Sequence, residues 1–150
     1  MSTVLLQYNL KSKENYRLDE PIIIDFTLEN VSDHDLWVLS WYTPLEGLKG
    51  NIFEVRCDGK PIQYKGIMVK RGAPLREDYT YIPSKGSVSV TFDLSKAYEF
   101  AQCGECEVKF KGQIYDFSNR NDDIIQKETT RHNSVNIPGN AVSFRISDSK

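Results

Sequence analysis

The chain has 150 residues, of which 39% are hydrophobic and 27% are charged, with a net charge of −2. This length suits one domain, residues 1–150, with a sizeable core, and the composition excludes a disordered chain and a membrane protein. Basic residues are interleaved with acidic ones instead of forming a basic face, so nucleic acid is not expected as a partner.

The N-terminal segment contains no recognisable targeting sequence. Its apolar run, Val4-Leu5-Leu6, is too short for a signal peptide or a membrane span. We therefore expect a cytoplasmic protein that makes no membrane contact. The cysteines, Cys57, Cys103 and Cys106, are odd in number. This count predicts reduced thiols, as in a cytosolic protein, instead of a complete disulfide framework.

Alternation of apolar and polar residues predicts short strands from the start of the chain. An edge strand is predicted within residues 2–11. The clearest pattern follows Pro21, where apolar residues at every second position share one face: Ile22, Ile24, Phe26 and Leu28. This period of two predicts a half-buried antiparallel strand. A polar turn at residues 30–35 then leads into another strand at residues 36–42.

Residues 39–81 form a central stretch in which turn signals interrupt short apolar runs. The remaining predicted strands span residues 52–57, 61–69, 79–82, 87–93, 106–111 and 141–146. A short helical turn at residues 93–98 is capped by Asp93 or Ser95. Residues 116–138 are polar and are predicted to form a long loop. Together, about seven to nine strands predict an all-β, immunoglobulin-like antiparallel β-sandwich with one long polar loop.

The sequence contains no complete catalytic or metal-binding pattern. His34 and His132 are its histidines, and neither His-Glu-x-x-His nor Gly-x-Ser-x-Gly occurs. Cys103 and Cys106 have the Cys-x-x-Cys spacing of zinc and redox sites, but a second ligand pair is missing. Whether these two cysteines form a disulfide stays an open question at this point. A calcium-binding loop at residues 119–123 is a further alternative. We predict no catalytic residues, no metal and no cofactor.

The central stretch carries the residue types that anchor protein interfaces. Aromatic and arginine side chains contribute most of the binding energy there. The alternative is that the aromatic residues fill the core while the cations only face solvent. The predicted partner-binding residues are Trp41, Tyr42, Lys70, Arg71, Arg76 and Tyr79.

Motifs across residues 36–112 carry a family resemblance. They are Thr43-Pro44-Leu45-Glu46-Gly47, Phe53-Glu54-Val55, Val69-Lys70-Arg71, Asp78-Tyr79 and Val90-x-Phe92-Asp93-Leu94-Ser95-x-x-Tyr98. In order and spacing they resemble the non-catalytic N-terminal β-sandwich domain, the propeptide region, of deuterolysin-like peptidyl-Lys metalloendopeptidases. Those enzymes carry a zinc-binding catalytic domain after this one, and this sequence has no counterpart of it. The resemblance implies a stand-alone relative of a protease prodomain.

We therefore expect a non-catalytic protein-binding module whose partner is a protease. It would act as a proteinase inhibitor or a prodomain-like protein, through loops at residues 43–51 or 70–79 held by a rigid sandwich. One alternative is a structural or adaptor module that forms a homodimer or pairs by a sheet edge. Another is a carbohydrate-binding module that uses exposed aromatic residues.

Overall fold

The fold is described from a computed structural model, in which residues 5–100, 104–118 and 134–148 are described. The strands are β1 (Leu6–Lys11), β2 (Asn15–Arg17), β3 (Ile23–Asn30), β4 (Leu36–Leu39), β5 (Phe53–Cys57), β6 (Lys60–Pro61), β7 (Tyr79–Ile82), β8 (Ser87–Asp93), β9 (Gly104–Phe110), β10 (Gln113–Ile114), β11 (Phe117–Ser118), β12 (Val135–Asn136) and β13 (Ala141–Ser147). Short 3₁₀ helices span Pro44–Glu46, Arg76–Asp78 and Leu94–Lys96. A helix with the length and apolarity to span a bilayer is not found in these ranges.

Two sheets form the sandwich. One has the strand order β1-β3-β8 and the other has the order β2-β13-β9-β5-β6. Two smaller sheets, β11-β4-β7 and β10-β12, accompany them. The strand pairs are antiparallel except β2 and β13, which run parallel. The predicted all-β, immunoglobulin-like sandwich is therefore confirmed, with a parallel pair at one outer edge.

The core lies between the two large sheets, where alternate side chains of each strand meet. In β9 the buried residues are Cys106, Val108 and Phe110, while the residues between them are exposed. The ring of Phe110 lies 5.1 Å from the ring of Tyr8 and 5.4 Å from that of Phe26, measured between centroids. Because Tyr8 and Phe26 belong to the opposite sheet, these contacts join the two layers.

The predicted polar turn after β3 is present, and Asn30 organises it. The side-chain amide of this buried residue donates to the carbonyl oxygens of His34, at 2.7 Å, and Ile82, at 3.0 Å. Its Oδ1 accepts from the amide and the hydroxyl of Ser32, at 3.0 and 2.7 Å. One side chain thus ties the turn and β7 to the end of β3.

Three predicted elements differ from the structure. The strand predicted at residues 36–42 ends at Leu39, because the chain then turns: the amide of Thr43 donates to the carbonyl oxygen of Ser40 at 3.2 Å, and Tyr42 has a φ of 60°. The strand predicted at residues 61–69 is wrong. Only Lys60–Pro61 forms a strand there, and Tyr64 makes an isolated bridge to Tyr98. The reason is that the apolar run at residues 67–69 lacks alternation, and Ile67 and Met68 face solvent.

The third difference concerns the loop predicted at residues 116–138. It begins with β11, which pairs with β4, and ends with β12, which pairs with β10. Residues 119–133 between them, which include the suggested calcium loop and His132, lie outside the described residues. By contrast, the helical turn predicted at residues 93–98 is confirmed at Leu94–Lys96, where Asp93 Oδ1 caps the amide of Ser95 at 3.0 Å.

The expectation of reduced thiols is wrong for two of the cysteines. Cys57 of β5 and Cys106 of β9 face each other across the antiparallel ladder and form a disulfide. They are 49 residues apart in the sequence, so only the strand register brings them together. A disulfide between Cys103 and Cys106 is therefore not formed, and Cys103 lies outside the described residues.

We predict that Cys57→Ser lowers the free energy of unfolding by about 2–4 kcal/mol, because a disulfide that closes a long loop restricts the unfolded chain. Urea unfolding of the oxidised protein measures this loss, and peptide mapping without reductant identifies the bond. Cys103→Ser is the matched control and should leave the stability unchanged. A map that shows Cys103 bonded, or an equal loss in the control, would contradict the pairing.

A second prediction concerns alkaline pH. Burial raises the pKa of Tyr98 to about 12, and its hydroxyl donates to Asn51 Oδ1 at 2.7 Å. Since the unfolded phenol ionises near pH 10, this contribution is complete below pH 10 and is lost as the pH rises toward 12. Tyr98→Phe should reduce the fall in unfolding free energy over that window by up to about 1.4 kcal/mol per pH unit. Urea unfolding at pH 8, 10 and 11 measures the slope, and an unchanged slope would refute the assignment.

Candidate interaction site

Two segments, residues 41–51 and 66–78, form one surface that we call the loop face. The first segment is organised by Thr43, which is fully buried and caps the 3₁₀ helix Pro44–Glu46. Its hydroxyl donates to the carbonyl oxygen of Ser40 at 2.8 Å and accepts from the amide of Leu45 at 3.1 Å. These bonds position Glu46 towards the second segment.

Arg71 joins the two segments. Its Nη2 lies 2.6 and 2.7 Å from the two carboxylate oxygens of Glu46. Both side chains are nearly buried, with 12% of Arg71 and 10% of Glu46 exposed. The guanidinium also lies 4.7 Å from the ring centroid of Trp41 and 5.0 Å from that of Tyr42. Arg71 therefore acts as an anchor for residues 66–78, by an ion pair and two cation–π contacts.

Tyr42 adopts a backbone conformation that is rare for a bulky residue. Its φ is 60°, in the left-handed region, which costs about 1–3 kcal/mol. The amide of Tyr42 donates to Glu46 Oε2 at 2.6 Å, and its ring lies 4.8 Å from the ring of Tyr115. A Cβ at Gly50 would come within 3.2 Å of the same ring, so the ring lies against glycine backbone. These contacts hold Tyr42 in one orientation.

Tyr79 was predicted as a partner-binding residue, but only 9% of it is exposed. Its hydroxyl donates to the carboxylate of Asp116, which is fully buried. Burial raises the pKa of Tyr79 above its usual value, and the negative charge of Asp116 raises it further. Tyr79 packs with Leu39, Trp37 and Trp41 in a small cluster separate from the main core. Tyr79 therefore packs inside the protein, as in the alternative that aromatic residues of the central stretch fill the core. Its side chain offers almost no surface to a partner.

The other predicted residues are more accessible. Lys70 and Arg76 are exposed, whereas Trp41 and Tyr42 are half-buried beside Arg71. The most exposed large apolar side chains of the loop face were missed by the sequence analysis: Ile67 at 61%, Met68 at 88% and Leu75 at 60% exposed. For Ile67 and Met68 the reason is the prediction of a strand at residues 61–69, whereas Leu75 lies within the predicted loop 70–79 and carries no signal of its own. The signal was present, since the turn residues Gly66 and Gly72 bracket the apolar run.

The described residues show no cluster suited to metal binding. No group of three or more histidine, cysteine, aspartate or glutamate side chains in those ranges could hold a metal ion. His34 lies exposed in the turn after β3. The groups that the loop face carries are apolar, aromatic and cationic side chains.

The chain has a partial relative among known proteins. No family model matches the chain. An extracellular protease of Aeromonas hydrophila is 26% identical over 91 residues, which cover 61% of this chain and 26% of that protein. The chain thus spans about a quarter of the length of this relative.

Two solved structures match nearly the whole chain at low identity. The CARDB domain of a Pyrococcus furiosus protein has 11% identity and a TM-score of 0.40, over 97% of each chain. A β-glucosidase from Listeria innocua has 9% identity and a TM-score of 0.36, over 94% of this chain and 16% of the enzyme. The protein is therefore similar, over part of its sequence, to part of an extracellular protease.

Proposed function

We propose that this protein is a non-catalytic protein-binding module whose partner is a protease, and that it acts as a proteinase inhibitor or a prodomain-like protein. The observation that carries the proposal is the loop face, on which three exposed apolar side chains extend from a segment anchored by Arg71. The partial similarity to an extracellular protease supports a protease as the partner. The same proposal includes a relationship between this chain and the propeptide region of deuterolysin-like enzymes.

The exposure of these apolar side chains is the first argument. Single exposed apolar residues are ordinary on protein surfaces, but a concentration of them marks an interaction site. Ile67 and Met68 are adjacent, and Leu75 lies in the same loop segment. Burial against a partner would remove their apolar surface from water, which stabilises a complex by about 25 cal/mol per Å² before the costs of association.

The anchoring of the loop is the second argument. The ion pair between Arg71 and Glu46 joins the loop to a capped 3₁₀ helix, so its base is ordered before any partner arrives. A preorganised loop loses less conformational freedom on binding than a mobile one. The exposed cations Lys70 and Arg76 add complementarity to a partner surface with acidic groups.

The proposed mechanism is steric. The loop would enter or cover the cleft of the protease, through an interface of about 800 Å² on each partner. Arg71 would act as the anchor of the loop, and Ile67, Met68 and Leu75 would form its apolar contact. The other residues proposed to contact the protease are Trp41, Tyr42, Lys70 and Arg76. A cytoplasmic location and a homodimer stay predictions, which cell fractionation and light scattering would test.

We predict that the purified chain forms a complex with at least one member of a panel of metalloproteases and cysteine proteases. Replacing Ile67 and Met68 by serine should weaken that complex at least tenfold, because both apolar contacts are lost. The matched control is Leu18→Ser, which removes an exposed apolar side chain outside the loop face. Inhibition assays and gel filtration provide the measurement. Absence of any complex, or equal weakening by the control, would end the proposal.

A separate prediction tests the anchor. Glu46→Gln removes the charge that holds Arg71, so the loop should open and trypsin should cut after Lys70 or Arg71 about tenfold faster. Glu77→Gln is the control, because Glu77 is exposed and makes no ion pair with a described residue. Mass spectrometry of the first cleavage products measures the rate at each site. Equal rates in the two variants would show that the ion pair does not hold the loop.

A further inference from the structure

A small cleft opens at the edge of the loop face, where its two segments meet the strands. It lies between residues 49–52, residues 68–69 and the segment that follows β9, and its volume is about 230 Å³. The buried residues Ile52 and Phe110 line its inner part, and Tyr42, Met68 and Tyr115 complete the apolar lining. Since pockets for drug-sized molecules measure about 300–1,000 Å³, this cleft suits a smaller group, of the size of one amino-acid residue.

The charged groups of the cleft all have the same sign. Lys49 and Lys111 line it, and no aspartate or glutamate does. Within the described ranges, no carboxylate lies at ion-pair distance from either lysine. The carboxylate of Glu46, which lies in the adjacent turn, is already occupied by Arg71 and by the amide of Tyr42. As far as the described residues extend, the cleft therefore presents two lysines without a carboxylate partner beside an apolar interior.

The walls of the cleft are held in place before any ligand binds. The ring of Tyr42 contacts Tyr115 and lies against Gly50. On the opposite side, the amide of Lys111 donates to the carbonyl oxygen of Ile52 at 2.9 Å, which continues the pairing of β5 with β9. Because these contacts are internal to the protein, a ligand would find the cleft already formed.

We propose that this cleft binds an apolar or aromatic amino-acid residue that carries a free carboxylate, such as the C-terminal residue of a peptide. The apolar side chain of such a ligand would lie between Tyr42, Met68 and Tyr115, and its carboxylate would lie between the two lysines. An uncharged sugar would leave both lysines unused, and an inorganic anion would leave the apolar walls unused. The inference does not depend on a protease partner, because the ligand is defined by the cleft alone.

The test uses the complete chain labelled with ¹³C at the methionine methyl groups. The sequence has two methionines, Met1 and Met68, and Met68 lines the cleft. The probe is N-acetyl-phenylalanine, and the comparison is its uncharged amide, N-acetyl-phenylalaninamide. We expect a saturable shift of the Met68 methyl signal, which Met68→Leu identifies. The acid should bind at least fivefold more tightly than the amide, because only the acid pairs with the lysines.

Variants separate the charge effect from the apolar contact. Lys49→Gln combined with Lys111→Gln should reduce the affinity for the acid to that for the amide. Lys60→Gln, on β6 and outside the cleft, should keep the fivefold preference. No saturable shift, equal affinity for acid and amide, or a preference that survives the double substitution would each overturn the inference. Since no protease is present in this experiment, its result is independent of the protease titration.

Discussion

The contact between the two large sheets at Phe110 is the interaction on which the rest of the structure depends. Phe110 ends β9, the central strand of the five-stranded sheet, and its ring meets rings from both layers. Such aromatic pairs contribute about 0.5–1.5 kcal/mol each beyond the burial of their area. The carbonyl oxygen of Phe110 also accepts from the hydroxyl of Tyr8 at 3.2 Å. The ring and the backbone of Phe110 are thus both held by contacts with the opposite sheet.

This contact also positions the cleft and the disulfide. Cys106 lies four residues before Phe110 on the same strand, and Lys111 follows it directly. The register of β9 against β5 therefore determines three things at once: the Cys57–Cys106 bond, the packing of Phe110 and the location of Lys111 beside Ile52. A slip of one residue would turn Phe110 outward and would break all three.

In the loop face, the ion pair and the backbone of Tyr42 fix the geometry of the loop but add little to the stability of the fold. Removing Arg71 and Glu46 from water costs several kcal/mol per ion, and their mutual attraction repays that cost only with good geometry. Arg71 Nε is moreover buried without a hydrogen-bond partner among the described residues. The left-handed backbone of Tyr42 adds a further cost. An arrangement that adds little stability and yet holds exposed apolar side chains fits the proposal that this loop contacts a partner.

The parts of the fold that could be predicted from the sequence are those whose signal is local. The strands β3, β8, β9 and β13 have one buried face, so their period of two is visible in the sequence itself. The Cys57–Cys106 bond and the Arg71–Glu46 pair could not be predicted, because each depends on which distant segments become neighbours. Tyr79 illustrates the same limit. Tyr79 and Tyr81 share one face of β7, and only the register opposite Leu39 and Trp37 decides that Tyr79 is buried and Tyr81 exposed.

The outer edges of β1 and β6 are protected against pairing with a second chain, which favours the proposed loop contact over pairing at these two edges. On the outer side of β1, the amide of Tyr8 donates to the carbonyl oxygen of Pro138 at 3.0 Å. The side chain of Asn140 accepts from the amide of Leu10 at 2.7 Å and donates to its carbonyl oxygen at 2.9 Å. At the end of the other sheet, β6 has two residues and one of them is Pro61, which has no N–H to offer. These edges discourage pairing with a second chain, whereas residues 66–75 present exposed apolar side chains on an anchored segment.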